Sequence, residues 1–236
     1  MPRTVKEDEH ASKRNDILEA TQRLLYVKGY EQMSIQDLLN ELKISKGAFY
    51  HYYASKSELL EAVVEHMFVQ VLPVAVSIVE DPALAALPKL QRYFETMGQW
   101  KVSKKGALLQ VLRSWYSDEN LVLRHKMNQR MMQYAGEWFA AIVRQGIAEG
   151  VFKTTYGDQI GRMSTALIAS LGDVMAGWLL APNQGRGKVA EAQMAVDALN
   201  DALERLLGAP PGSIATMTPD MIIAWFGDDP EPMAIT

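Results

Sequence analysis

The chain has 236 residues, no cysteine and a formal net charge of −4, with 24 Lys and Arg against 28 Asp and Glu. That length holds one or two domains, and the missing thiols exclude a disulfide framework, a thiol nucleophile and a cysteine-ligated metal. The acidic balance gives no global reason to expect nucleic acid, so any such function must rest on a local segment.

The opening "MPRTVKEDEHASKRND" is charged and lacks an apolar core, so no secretion signal is expected. Ile17, Leu24, Leu25 and Val27 predict a helix from about Ser12 to Lys28, stopping at Gly29, where a glycine takes positive φ without strain. Ser34 with Asp37 reads as a cap and acidic first turn for a helix through Leu42, and Ser45 opens a second short helix over Lys46 to about Tyr53. Ser55 and Glu58 repeat the pattern and start a long helix expected to reach Glu80, kinked at Pro73. Asp81-Pro82 reads as the next cap, ahead of the stripe Leu84, Leu87, Leu90, Phe94 and Met97.

Further stripes follow at Leu108, Leu109, Leu112, Trp115 and Tyr116, and at Met127, Met131, Tyr134, Trp138 and Ile142, the latter helix ending at Gly150. A helix over Ile160–Leu180 and a seven-residue repeat at Val189, Ala192, Val196, Leu199, Leu203 and Leu206 come next. Thr218-Pro219-Asp220 caps a short "MIIAWF" helix, and the last ten residues are expected to fray. Within this series, Met163–Ala181 is the stretch most like a membrane span. Its Gly, Ser and Ala content and the mid-segment Asp173 point instead to a helix–helix contact. No membrane partner is expected, and the chain is expected to be cytoplasmic.

No alternating run of strand length is present, so the expected fold is all-α. Two short helices joined by a tight turn, with a helix before them, form the arrangement of a helix-turn-helix reader. The expected division is a three-helix DNA-binding domain at residues 1–60 and a larger helical ligand-binding and dimerisation domain at 61–236.

Charge singles out part of the first domain. Residues 1–66 hold nine Lys and Arg against eleven Asp and Glu, net −2, yet residues 42–57 hold three lysines and no acid. Leu38, Leu39, Leu42, Ile44 and Phe49 are spaced to form a small core, which leaves Gln36, Ser45, Lys46, Ala48, Tyr50, His51 and Tyr52 nearer the outside. Ser34 and Ser45 mark helix N-termini suited to phosphate, lysines and tyrosine hydroxyls suit phosphate oxygens, and Ala48 suits a thymine methyl. A +3 patch is weak alone, so a two-fold dimer on a double-stranded operator is expected.

Residues 34–63, "SIQDLLNELKISKGAFYHYYASKSELLEAV", resemble the DNA-binding signature of the tetracycline-repressor (TetR) family. The family's Val-Ser-Lys-Gly-Thr-Leu-Tyr-like reader corresponds to Ile44–Tyr50, and its Ser-Lys start of the fourth helix to Ser55-Lys56. The resemblance implies that Lys46, Gly47 and Ala48 face base edges or the groove wall. It also implies that Tyr50, Tyr52 and Lys56 contact phosphates. "QGIAEGVF", residues 145–152, is similar to a helix end of the family's second domain. This chain departs from the pattern at Leu39, Leu42 and Lys43, where the family often has an alanine pair and a glycine. Lys43 in a left-handed turn would carry strain that glycine avoids.

The larger domain is rich in Met and aromatic side chains, which suit either a helical core or an adaptable pocket. The resemblance implies an effector cavity there, and Trp100, Trp115, Tyr116, Met131, Tyr134 and Trp138 are the candidate lining for a small hydrophobic effector. Gly161, Ser164, Thr165, Gly172, Ala176 and Gly177 permit close helix approach, so the helices near 160–180 and 188–207 are the expected dimer contact.

Catalysis has little support. Only Glu7 and His10 have a Glu-x-x-His spacing, and His10, His51, His66 and His125 show no ligand spacing. HExxH, phosphate-loop and GxSxG motifs are absent, so no catalytic residue, metal or cofactor is expected. Control by a protein partner instead of a small molecule is the alternative, and a helical enzyme the remote one.

Overall fold

The computed structural model describes residues 2–69, 72–183 and 186–227. Every regular element among them is helical: α1 (Pro2–Gln32), α2 (Ile35–Leu42), α3 (Lys46–Tyr52), α4 (Lys56–Val69), α5 (Leu72–Glu80), α6 (Ala86–Ser103) and α7 (Lys105–Trp115), a 3-10 turn (Asp118–Asn120), then α8 (Leu121–Ala148), α9 (Gly157–Leu180), α10 (Val189–Leu207) and α11 (Pro219–Phe226). The fold class is all-α, as expected. Backbone contacts divide the chain into two compact units, residues 1–70 with 106–127 and residues 71–105 with 128–236.

In the first unit, α1 packs on α2 and α4 around Ile17, Leu25, Leu38, Phe49, Leu59 and Val63, all buried. Helix α1 begins at Pro2, well before the expected Ser12, because the intervening Lys, Glu, Ala and Arg residues are good helix formers. Gly29 breaks it with φ 74° and ψ 165°, and one more turn runs to Gln32. Gln110 of α7 lies over that glycine, where a Cβ would stand 2.8 Å from its Oε1. The expected helix from Ser55 to Glu80 is helical in α4, through Val69, and again in α5, from Leu72. Residues 70 and 71 lie outside the described residues.

In the second unit, Leu90 and Phe94 of α6, Phe139 and Ile142 of α8, and Leu199 and Leu203 of α10 form the core. Beside them, Tyr93 is pushed up to about 12 by burial of its phenol. Helix α8 ends in a tight reversal: Val151 and Phe152 N–H both donate to Gly146 O, and the Phe152 ring lies where a Cβ on Gly146 would be. Asp81-Pro82 does not cap α6. Asp81 Oδ1 accepts from Ala83 N–H in the preceding turn, and α6 starts at Ala86, whose N–H donates to Glu149 Oε2 at 2.8 Å. Buried Lys89 donates to Val79 O and Gln145 Oε1, which ties the same turn to α8. Thr218 caps α11 as the sequence indicated, with Pro219 in the first turn.

The heptad stripe of α10 faces its own subunit. Ala192, Val196, Leu199 and Leu203 of that stripe are buried, Val189 and Leu206 are half-buried, and Leu199 and Leu203 join the core with α6 and α8. Helix α9 is long and apolar enough to cross a membrane by length and composition, but Gly161, Ser164, Thr165 and Ala176 are buried in the unit. Gly161 sits on Ala140, leaving no room for a Cβ. The expected frayed end, residues 228–236, lies outside the described residues.

Candidate nucleic-acid interface

Helix α2 is held by a reciprocal cap. Ser34 Oγ accepts from Asp37 N–H, while the Ser34 N–H and hydroxyl both donate to Asp37 Oδ2. Lys28 Nζ donates to the other carboxylate oxygen at 2.7 Å. That hydrogen bond first, then the Ser34 N–H and hydroxyl, holds the Asp37 carboxyl down at about 2. A second tie, Arg23 to Glu41 at 2.9 Å, joins α1 to the far end of α2.

The turn to α3 passes through Lys43 at φ 53° and ψ 40°, the left-handed position at which the sequence pattern replaces a glycine. Lys43 and Ile44 N–H both reach Leu39 O, so the helix end is closed despite the strained residue. Ser45 then caps α3, its Oγ accepting from Ala48 N–H at 3.1 Å. Seven residues are too few to form a stable helix alone, so α3 depends on its packing. Phe49 supplies it by full burial, and Tyr53, the residue after the helix, is buried too. Burial pushes the Tyr53 phenol up, against Arg14, which lowers it. On the opposite face Ser45, Lys46, Gly47, Tyr50 and His51 are exposed, and Ala48 and Tyr52 are half-buried. The Lys46 ammonium sits 5.9 Å from the Tyr50 ring centroid. Glu58 N–H donates to Ser55 Oγ, and its carboxylate reaches back to Ala54 N–H at 2.7 Å, fixing the start of α4 beside Lys56.

Chemically, this surface offers a short helix with exposed ammonium, hydroxyl and imidazole groups and no carboxylate between residues 42 and 57. The two serines differ. Ser34 already donates both its N–H and its hydroxyl to Asp37, so at that terminus the N–H groups of the next residues face outward. The Ser45 hydroxyl only accepts, and its proton remains for an outside acceptor. Gln36 lies exposed one turn away, its amide donating to Asn40.

The sequence pattern did not single out His10 and Arg14 of α1. The His10 ring lies 4.7 Å from Tyr52 and 5.6 Å from His51, and Arg14 Nε donates to Tyr53 Oη at 3.3 Å. Their spacing of four residues was the available signal, hidden in a stretch that read as a charged tail.

The candidate effector residues do not gather in one unit. Trp115 and Tyr116 belong to the first unit, where Tyr116 lies under the Arg124 guanidinium at 4.4 Å. Trp100, Met131, Tyr134 and Trp138 belong to the second, and Tyr134 is exposed. Two cavities described in the second unit have other linings. One, of about 710 Å³, lies between α6 and α11 and includes Glu95, Gln99, Val102, Asp220 and Met221. The other, of about 330 Å³, lies between α5 and α6 and includes Ser77, Asp81, Arg92 and Thr96.

A capped pair of short helices set against α1, with the second exposing cations and hydroxyls, defines a helix-turn-helix DNA-binding domain. Comparison with known proteins agrees. The profile of "Bacterial regulatory proteins, tetR family" matches residues 17–63. An uncharacterised HTH-type transcriptional regulator in the lacX 3' region of Lactococcus lactis subsp. lactis is 48% identical over 50 residues, 21% of this chain and 26% of that protein. The uncharacterised HTH-type regulator YvaF of Bacillus subtilis (strain 168) is 33% identical over 107 residues, 45% of this chain and 56% of that protein. The chain therefore spans about a quarter of the first relative's length and about half of the second's. A TetR-family regulator from Pectobacterium atrosepticum shares the fold at TM-score 0.61 and 18% identity, over 86% of this chain and 98% of that one. A transcriptional regulator from Cytophaga hutchinsonii does so at TM-score 0.62 and 18% identity, over 83% and 95%. Residues 17–63 thus match the DNA-binding domain of the tetR family of bacterial regulatory proteins, and the chain shares its all-helical fold with solved transcriptional regulators.

Proposed function

We propose that the chain is a dimeric transcriptional repressor that binds a two-fold operator and is released by a small hydrophobic effector. In this reading residues 1–60 are the reader, residues 61–236 sense and dimerise, and the protein works in the cytoplasm. The observation that carries it is the exposed, acid-free face of α3, held from behind by Phe49 and capped by Ser45. Lys46, Gly47 and Ala48 meet base edges. Ser45, Tyr50, Tyr52 and Lys56 clamp phosphates, with His51 on the rim and the α2 terminus at Ser34 and Gln36 on the neighbouring backbone. Three lysines per copy are a weak field, so two copies on half-sites about 34–36 Å apart are needed for useful affinity.

Dimerisation finds support on α9. Met163, Leu167, Ser170, Val174 and Gly177 recur at alternating four- and three-residue intervals, and all are exposed in the single subunit. That is a helix–helix stripe left exposed among the described residues, and Met194 is exposed on α10. Such a seam uses the helices the sequence indicates but the outer face of α10, since the heptad face serves the core. For the effector, the α6–α11 cavity has the size of a small-molecule site. The effector must bind the splayed dimer better than the DNA-ready one, otherwise nothing shifts.

The test is a selection of bound duplexes from random DNA with the full chain, followed by titration of Lys46→Ala and Tyr50→Ala. Both variants should lose affinity by roughly ten-fold or more while melting like the wild type. Retained affinity in both would end the reader assignment. A thermal-shift screen with hydrophobic compounds tests the effector, and a melt that none of them raises favours control by a protein partner.

A further inference from the structure

Two residues of α1 ahead of the family match, His10 and Arg14, touch the reader. His10 and Arg14 stand one helical turn apart on the same face of α1 and meet the end of α3. The His10 ring lies 4.7 Å from Tyr52 and 5.6 Å from His51, the latter pair nearly perpendicular at 84°. His51 and Tyr52 are themselves 5.4 Å apart, so the three rings close a triangle whose every side is an aromatic contact. Four residues on, the Arg14 guanidinium hydrogen-bonds to Tyr53 Oη and lies 5.6 Å from its ring centroid. Tyr53 is buried, and its N–H, bonded to Phe49 O, closes α3.

We propose that His10 and Arg14 are positioning residues of the reader, holding the last turn of α3 so that Tyr50, His51 and Tyr52 point at the DNA. This rests on the DNA-reading function proposed above. Helix α3 has seven residues and one buried anchor of its own, Phe49, at its centre. A helix that short frays from whichever end is free. Ser45 fixes the first turn, and the second is fixed by α1 through two side chains of opposite kinds: a ring against the outward-facing His51 and Tyr52, and a guanidinium on the inward-facing Tyr53. Both faces of the turn are thereby tied to one rigid helix, which sets the rotation of α3 about its axis as well as its tilt. His10 is exposed on its remaining side, so a direct DNA contact is the competing role, and the two roles differ in which substitute restores function.

The experiment uses the full chain and the duplex recovered by selection, with wild type, His10→Ala, His10→Phe and Arg14→Ala compared by fluorescence anisotropy. Backbone amide exchange is followed on the free proteins. His10→Ala and Arg14→Ala should each bind about ten-fold more weakly, with faster exchange at residues 50–53 and unchanged exchange in α10. His10→Phe should recover to within about two-fold, because the ring triangle needs an aromatic edge and not a proton. Wild-type affinity and exchange in His10→Ala would overturn the proposal. So would a His10→Phe variant as weak as His10→Ala, which would assign His10 to the DNA itself. Equal loss of protection throughout α1–α4 would reduce both residues to general stability. Lys46→Ala separates the two levels: if it binds as tightly as wild type the reader reading fails, and the exchange data alone then decide whether the clamp exists.

Discussion

Leu167→Glu on the outer stripe of α9 should separate the dimer without unfolding the subunit. In the single chain Met163, Leu167 and Val174 are 56, 38 and 47% exposed, so sealing each in a seam adds roughly half of a full side-chain burial, about 1 kcal/mol apiece. Two-fold symmetry repeats the change, and losing Leu167 therefore costs about 2 kcal/mol on the dimer. The substitution also brings two carboxylates towards each other across the axis, and their desolvation and repulsion add at least about 2 kcal/mol more. A total near 4 kcal/mol weakens association by roughly a thousand-fold. Sedimentation velocity over a dilution series measures it, while a circular-dichroism melt at low concentration checks that the monomer keeps its fold. Leu167→Met, which preserves volume and polarity, should stay within a few-fold of wild type. An unchanged association constant for Leu167→Glu would refute the α9 seam.

Lys43→Gly should raise stability by about 0.5–1 kcal/mol, since release from the left-handed strain exceeds the added freedom of the unfolded chain, and a thermal melt should rise by about 1–4 °C. Asp37 sits at about 2 in the folded chain against an ordinary 3.8. A depressed carboxyl adds stability that is complete above its unfolded value and is lost as pH falls towards the folded one. The melting gap between wild type and Asp37→Asn should therefore be widest at pH 5 and above and close between pH 4 and 2; a constant gap would show that the ionised cap contributes nothing. Gly161→Ala puts a Cβ 2.7 Å from the backbone of Ala140 in α8, so α9 must move. The expected loss is about 1–3 kcal/mol by chemical denaturation, and a wild-type midpoint would contradict that contact.

What the sequence revealed and what it hid follow from how far apart the interacting groups lie. Ser34 with Asp37, Ser45 with Ala48, and Thr218 with Pro219 are local devices, in which both partners fall within one turn and the residue types announce the geometry. Lys43 was readable only through the family resemblance, whose pattern often has a glycine at that turn. Periodicity carries less. It shows that α10 has an apolar face at Ala192, Val196, Leu199 and Leu203, but the same spacing serves a core or a seam, and the face proved to be core. The outer stripe of α9 mixes Met, Leu and Val with Ser and Gly, so it scarcely stands out from the helix that carries it.

Least readable are contacts between residues distant in the chain. Arg14 and Tyr53 are 39 residues apart, and nothing local to either marks the other. His10 was further hidden by a misplaced boundary: with the helix starting at Ser12, it fell in a tail of mixed charge. Once α1 begins at Pro2, His10 shares a face with Arg14, and both arrive at the end of α3. Residues 17–63 contain the buried core of the reader, Ile17, Leu38, Phe49 and Val63, together with both caps. They do not contain His10 or Arg14, which contact the end of α3. The matched segment therefore holds the folded core of the reader, while on the proposal above the direction in which Tyr50, His51 and Tyr52 point is set by two residues outside it.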